Sequence, residues 1–559
     1  MKPILTLSFL SLCALAQAQT KVTWGDEFKM RNDGTSELSI IHADQSGEYL
    51  EESYLIDKVF FSTPYKSTTL VKLNPSLSEV YRKDFDSELK GKDFEQFLFL
   101  NGKLYLLASD YSKQDKATVL YAAEVDESTG HLTTEWQSIH QWHDPEKNEH
   151  LSYKIVPDAD GTGVVLAATY WGKEKSRYEL QALDVDLKPA PQPLTIYNEF
   201  EPKTFQVEGL VYTHSGNAVV VGRIYGYEEG KPKKDRNLIF KNYSIRIYDA
   251  EGHLVKELTT DSDNKYFVTS KVMLVKNELV LAAFYSKERR KKEVNGMIVQ
   301  RIDPATGNVL VSTEKELNAS SITQIDDEDA DKRALKKAGA DEEGLSANLR
   351  FNKFYLTPDN GVIILAERCL EYISTISTPT GGPNSTGSMY STTENFDCGE
   401  IYMGKVSAEG NFDWIHVLPK SQFEGVQIAS SWGSGYGFMY DFDYFHDETG
   451  RPYYSGFGSI EGKGHVHLFF NDDDDNAGIL EPGQRVKKVR LFGKTSCYEI
   501  DLDMMTGKYT RKAIFSNRDI PNAMPRLGVG LNGCLYMTGK EMKVMRKSKV
   551  AVGKIVCTD

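Results

Sequence analysis

The 559-residue sequence predicts an all-β fold, a single β-propeller of about eight four-stranded blades, with seven as the alternative count. Three observations lead there. A tight-turn signal followed by a strongly apolar run recurs eight times. A second turn, usually opened by Asp and always closed by Gly, falls between the recurrences. The period of the whole pattern is near sixty residues, long enough for four strands and their turns.

The first turns read Ser46-Gly47, Asn101-Gly102, Asp160-Gly161, Ser215-Gly216, Asn277-Glu278, Asn360-Gly361, Lys463-Gly464 and Asn532-Gly533. Asn-Gly and Asp-Gly tolerate positive φ and suit tight hairpins. Among the runs that follow are Leu104 to Leu107, Val164 to Ala167, Val219 to Val221, Leu279 to Leu281, Val362 to Leu365 and His467 to Phe470. Unbroken apolar runs of this length describe strands buried on both faces. The second turns include Asp126 to Gly130, Asp249 to Gly252, Asp303 to Gly307, Ser407 to Gly410 and Asp503 to Gly507. Each separates a strand such as Ile245 to Tyr248 from a more polar one. The first turns are spaced by 55, 59, 55 and 62 residues before insertions stretch the interval. No such unit can bury its own sheet faces, so neighbours must stack around an axis. The last unit lacks an outer strand after Cys557, and Val22 to Met30 is expected to supply it and close the ring.

Two segments break the period. Residues 318–345 form an acidic insertion between blades, in which 326–344 carries the marks of a short helix: acids first, Ala and Leu within, Gly at the end. Residues 374–393 are rich in Ser, Thr, Gly and Pro and are expected to form a flexible loop.

Residues 1–18 have the form of a signal peptide: Lys2, an uncharged apolar run from Ile4 to Ala16, and Ala16-Gln17-Ala18 as a small-x-small cleavage site. That run is shorter than the roughly 20 residues of a spanning helix, and no later stretch reaches that length without charge. The expected protein is therefore residues 19–559, exported without a transmembrane segment, to periplasm, cell surface or medium. Its formal net charge of −14 argues against nucleic acid as a partner, because phosphate binding needs concentrated Lys and Arg.

Export makes the cysteines informative. Cys13 leaves with the signal, and five remain, so at least one is unpaired within the chain. Cys369 with Cys398, and Cys534 with Cys557, bracket two hairpins and are the disulfide candidates. The competing reading is small buried apolar residues.

Enzyme motifs are mostly missing. Gly528-x-Gly530-x-x-Gly533 spells a dinucleotide fingerprint but leads into a strand, so no helix N-terminus receives a phosphate. Gly493-Lys494-Thr495 resembles the end of a phosphate loop, yet Lys488 stands where its first glycine belongs. HExxH, GxSxG and CxxC are absent. So is the tryptophan that follows Asp-x-x-Thr-Gly turns in quinone-binding propellers. No catalytic residue and no organic cofactor is assigned. His465 and His467 alternate on one strand face, with the acidic run Asp472 to Asp475 beyond them. Imidazoles at i and i+2 near carboxylates suit a divalent cation, which makes His465, His467, Asp472 and Asp474 candidate ligands. A strand followed by a solvated acidic turn is the plainer reading. The run also lacks the Gly and Glu of an EF-hand loop. His140, His143, Asp144 and His150 form a second group, in an inter-blade linker, where solvated loop histidines are the ordinary case.

Several phrases carry a resemblance. Phe412 to Gln422, Phe469 to Asp472 with Asn476, Thr510 to Lys512 through Phe515 to Asn517, and Asp359 to Glu367 are similar to phrases of an uncharacterised family of secreted bacterial propeller-like proteins. The resemblance covers about the last 240 residues. It implies an exported propeller and, since the family has no assigned activity, no catalytic residues.

Two function classes follow. The first is a non-enzymatic recognition or scaffold module of the cell envelope, binding a protein or polysaccharide through the loops of a propeller face. The alternative is a polysaccharide-directed hydrolase or lyase with its site at the central opening, which needs two convergent carboxylates. Asp441, Asp443 and His446, in an aromatic-rich insertion, are its first suspects. Paired carboxylates in the channel favour the enzyme, and apolar walls favour the binder.

Overall fold

A computed structural model of the chain describes residues 20–557 apart from 30–36, 57–64, 144–149, 158–162, 172–175, 190–195, 201–203, 214–215, 228–237, 260–264, 276, 289–292, 318–324, 327–344, 347, 380–387, 433–450, 483, 532 and 542–548. The proposed signal peptide and the suspects Asp441, Asp443 and His446 lie outside the described residues, as does nearly all of the expected helix at 326–344. At the borders of that insertion, Ile325–Asp326 pairs in parallel with Arg485–Val486, and Leu345–Ser346 pairs with Glu293–Val294. No helix of the described residues is long and apolar enough to cross a membrane.

The chain is a β-propeller. Among the described residues, eight antiparallel sheets each carry four strands in a meander. The first strands, in order, are Glu37–Asp44, Asp93–Leu100, His150–Pro157, Phe205–Tyr212, Tyr266–Val275, Leu349–Leu356, Gly458–Glu461 and Val529–Leu531. First strands of most neighbouring sheets touch one another, so they line the axis. The sheets are called the first to eighth blades below. The eighth is completed from the other end of the chain. Lys21–Trp24 pairs antiparallel with Lys549–Val556, Lys21 opposite Val556 and Trp24 opposite Gly553.

Packing explains why the ring closes. The hydrophobic core divides into clusters that bridge consecutive blades. Phe284 and Val299 of the fifth blade meet Phe351, Ile364 and Tyr402 of the sixth. Ile363 and Met403 of the sixth meet Leu468 and Ile500 of the seventh. Tyr536 and Val552 of the eighth meet Leu38, Leu50 and Val71 of the first. Second strands are therefore mostly buried on both faces, as in Glu278–Ser286, where every residue after the first is buried. Each such large side chain contributes about 1.5–3 kcal/mol relative to exposure.

Both turn series lie at one end of the ring, because the first-to-second and third-to-fourth strand connections of a meander share an end. The second series also joins blades. Gly507 of the seventh blade takes φ +70° directly against the fourth strand of the sixth, and an added Cβ would stand 2.7 Å from Trp414 Cδ2 and 2.8 Å from His416 Nε2. Gly130, Gly307 and Gly410 face the preceding blade's outer strand in the same way, meeting Tyr81, Lys256 and Val311.

The segment 374–393 is not the expected loop. Val362–Pro379 and Ser388–Val406 form one long hairpin, with Thr375 opposite Thr392, so only 380–387 of that segment falls outside described strand. The Ser- and Thr-rich run is punctuated by β-branched residues such as Thr375 and Ile376, which suit a pleated surface. Gln422–Trp432 adds a further strand to the hairpin's edge. At the base of the hairpin, within the sixth blade, Lys405 is clamped at 2.7 Å from Asp359 and 3.1 Å from Asp413. Hydrogen bonds from the Lys405 ammonium and the Thr357 hydroxyl hold the Asp359 carboxyl down at about 2.

Two outcomes test this architecture. Gly507→Ala is expected to lower stability by about 1–3 kcal/mol in denaturant unfolding, through left-handed strain plus the clash with Trp414. Gly464→Ala, at φ +75° with nothing within 4 Å of the added Cβ, is expected to cost less. Because Asp359 titrates lower folded than unfolded, its contribution is complete above about pH 4 and is lost as pH falls toward 2. Acid unfolding of Asp359→Asn should therefore depend less steeply on pH in that window than the parent.

Candidate functional site

The axial opening is built from first strands. Those of the seventh and eighth blades are short, four and three residues, whereas the sixth has eight and the fifth ten. The deficit leaves a cavity of about 380 Å³ at the C-terminal ends of these four strands, beside the tight turns. Its walls are Met273, Leu274, Val275, Phe354, Tyr355, Leu356, Ile460 and Leu531, with Gly530 and Gly533 leaving space. Lys353 and Glu461 are its charged side chains. A volume of this size falls in the range of small-ligand sites.

A bulge puts Lys353 there. The pairing of Leu349–Leu356 with the following strand slips between Phe351 and Phe354, at Asn352 and Lys353. Bulges re-aim side chains, and comparable slips occur in the first strands of the first, second, fourth and fifth blades. Asn352 laces the wall on both sides. Its carbonyl accepts from Lys271 Nζ at 3.0 Å, and its Nδ2 donates to the Phe457 carbonyl at 3.2 Å. Tyr355 OH donates to Ser459 Oγ at 2.8 Å, tying the sixth blade to the seventh. The Lys353 ammonium lies 5.4 Å from the Tyr355 ring centroid. Burial pushes its pKa down, the Lys271 charge adds to that, and Glu461 works against it.

At the second blade's bulge, Glu95 accepts from Ser109 Oγ at 2.5 Å and from Tyr153 OH of the third blade. Burial raises its carboxyl. Among the described residues, no second carboxylate shares those hydrogen bonds.

The cation candidates do not converge as a set of four. His465 and His467 stand at one end of the strand His465–Asp472, and Asp472 at the other. Asp472 is bound to Arg511 NH2 and Asn476 Nδ2, each at 2.7 Å, and Asp474 accepts from Tyr498 OH at 3.0 Å. Lys487 lies 3.0 Å from Asp473 and 2.7 Å from Asp475, so three of the four carboxylates already face protein cations. An extended strand of that length holds its ends more than about 20 Å apart, beyond any common ion. What the histidines meet instead is the neighbouring strand Ser496–Asp503. His465 Nδ1 lies 2.7 Å from Asp501 Oδ1, and His467 Nδ1 2.8 Å from Glu499 Oε1. Burial pushes the Glu499 carboxyl up, but hydrogen bonds from His467, Thr20 and Lys512 outweigh it and hold it below the ordinary range. Cys557 joins His467 and Glu499. The alternation of Glu499 and Asp501 mirrors that of His465 and His467, a signal that needs the strand pairing to be read.

The other candidates separate. His140 packs edge-on against Trp142 at 4.7 Å, and burial lowers it to about 4, while His143 and His150 are exposed and Asp144 lies outside the described residues. Cys369 and Cys398 face each other in register across the long hairpin, both buried thiols in this structure. Cys534 pairs in register with Val556, beside Cys557. Gly528, Gly530 and Gly533 surround the strand Val529–Leu531 and open no helix.

The phrases that carry the family resemblance supply one buried polar network. Lys420 Nζ lies 2.6 Å from Glu367 Oε1 and donates to Gln422 Oε1 at 2.8 Å. Gln422 Nε2 donates to the Asn471 carbonyl at 2.7 Å, and Asn517 Nδ2 to Asn471 Oδ1 at 2.9 Å. These residues are architectural: they fasten the seventh blade's entry to the sixth.

No protein-family model matches the chain, and no curated protein matches it. Among solved structures, the WD40 domain of SCAP from fission yeast aligns over 96% of this chain and 98% of its own, at 8% identity and a TM-score of 0.35. The polysaccharide lyase Uly1 aligns over 95% and 91%, at 9% identity and 0.36. The β-propeller domain of the Trilobed protease from Pyrococcus furiosus aligns over 70% and 97%, at 10% identity and 0.30. Likeness this distant transfers no residue role and no activity.

Lys353 is a partly desolvated charge in a wall whose other charged side chain is Glu461. Lys353→Met is expected to raise stability by about 1 kcal/mol in thermal or denaturant unfolding, the usual direction when a site residue is replaced by its apolar counterpart.

Proposed function

We propose that the protein is an exported, non-enzymatic recognition or scaffold module of the cell envelope, which binds a protein or glycan at the ring face that carries the axial cavity. Export rests on the leader-like first 18 residues. The observation that carries the reading is the chemistry of the cavity: apolar and aromatic walls, one lysine and one carboxylate, Glu461. Hydrolysis or elimination at a glycan calls for two groups working as acid and base, commonly a pair of carboxylates 5–10 Å apart. The described lining offers one carboxylate. Aromatic walls with a few placed polar groups are, in contrast, what a binding site needs.

The test is capture by the purified chain from solubilised envelope and extracellular polysaccharide of its own host. The expected result is reproducible retention of one protein or glycan, weakened by Lys353→Met. Release of sugar fragments from the polysaccharide would sink the reading and support the hydrolase or lyase instead.

A further inference from the structure

We propose that His467, Glu499 and Cys557 form a zinc-type divalent cation site at the seam between the seventh and eighth blades. One ligand atom from each lies within 4.8 Å of the other two. Around Zn²⁺, with bonds of 2.0–2.3 Å, the edges of a ligand tetrahedron are about 3.3–3.6 Å, so closure needs movements of about 1 Å. Imidazole, carboxylate and thiolate together are a borderline-soft set that favours zinc over calcium or magnesium.

The three residues come from two neighbouring blades. His467 lies on the second strand of the seventh blade and Glu499 on its third. Cys557 directly follows Lys549–Val556, the third strand of the eighth. His467 and Glu499 are buried, and Cys557 is half-buried. The surrounding groups suit a cation site. Asp501 Oδ1 stands 3.8 Å from His467 Nδ1, within reach as a fourth ligand. The Thr20 hydroxyl donates to Glu499 at 2.7 and 2.6 Å, and Lys512 lies 3.0 Å from Glu499 Oε2, so the carboxylate is oriented by groups other than its ligand partners. A second trio, Asp249, Glu251 and His253, sits in an exposed turn where Asp249 Oδ1 already accepts two backbone N–H groups. It is the natural control.

The location gives the site a role. Thr20 immediately precedes Lys21–Trp24, the strand that closes the eighth blade. A cation here would join the seventh blade to the eighth beside that closure. Binding displaces the thiol proton of Cys557 to solvent, and the gain in binding free energy appears as stability of the closed ring.

The experiment loads the metal-free full chain with Zn²⁺ and removes excess metal by gel filtration. The expected result is one zinc per chain and a raised thermal midpoint. Affinity should fall at least about 10-fold in His467→Asn and in Cys557→Ser and stay unchanged in His253→Ala. Cobalt(II) in place of zinc should show a thiolate charge-transfer band that Cys557→Ser abolishes, a signature that a variant with merely weakened packing would keep. Absence of retained zinc, or retention unchanged in both ligand variants, would overturn the proposal. So would a Cys534–Cys557 disulfide in the purified chain, seen as its mass loss, since that bond consumes the thiolate.

Discussion

The blades bury apolar side chains on both sheet faces, and only another blade can cover them. That constraint governs the rest of the structure. An open row of sheets would leave the outer faces of the first and last in water. The cluster that joins Tyr536 and Val552 to Leu38 and Leu50 removes both exposures at once. Closure in turn depends on backbone pairing between residues more than 500 apart in sequence, Lys21–Trp24 against Lys549–Val556. The hydrogen-bonded strand acts as the latch, while burial of the two faces provides the driving force.

The axial cavity follows from the same geometry. Eight strands crowding an axis would fill it with side chains if all were of equal length. The seventh and eighth blades contribute only Gly458–Glu461 and Val529–Leu531, and the space opens on their side. A bulge at Asn352 and Lys353 then uses that space. Its asparagine bonds Lys271 of the fifth blade and the Phe457 carbonyl at the entry to the seventh, so the displaced lysine stands on a wall that is held from both sides. A charge retained at such a position, against the cost of its burial, is the kind of local conflict that folding alone does not require.

The polar interior between the sixth and seventh blades has a different origin. The connection from Leu418 to Gly458 must leave one blade, edge the long hairpin and enter the next, and parts of it run buried. Buried backbone groups need partners. Glu424 accepts from the amides of Tyr453, Tyr454 and Ser455, each at 2.8 Å, and Gln422 Oε1 accepts from the Gly456 amide at 2.7 Å. Gln422, from one of the conspicuous sequence phrases, thus helps satisfy a buried chain.

What the sequence by itself determined was local: the tight turns, the apolar second strands and their sixty-residue rhythm. Turn residues act through φ and burial acts through periodicity, both legible within a few positions. Gly102, Gly464, Gly507 and Gly533 all adopt the positive φ their turns require. Register was not legible. The pairing that sets His467 beside Glu499 rather than Asp472, and the strand that runs through 374–379 and 388–393, depend on which segment lies opposite. The approach of Cys557 to His467 and Glu499 depends on how two blades stack, and the cavity beside Lys353 on the relative lengths of strands in four blades. Such features arise between elements distant in the chain, so only the tertiary structure decided them.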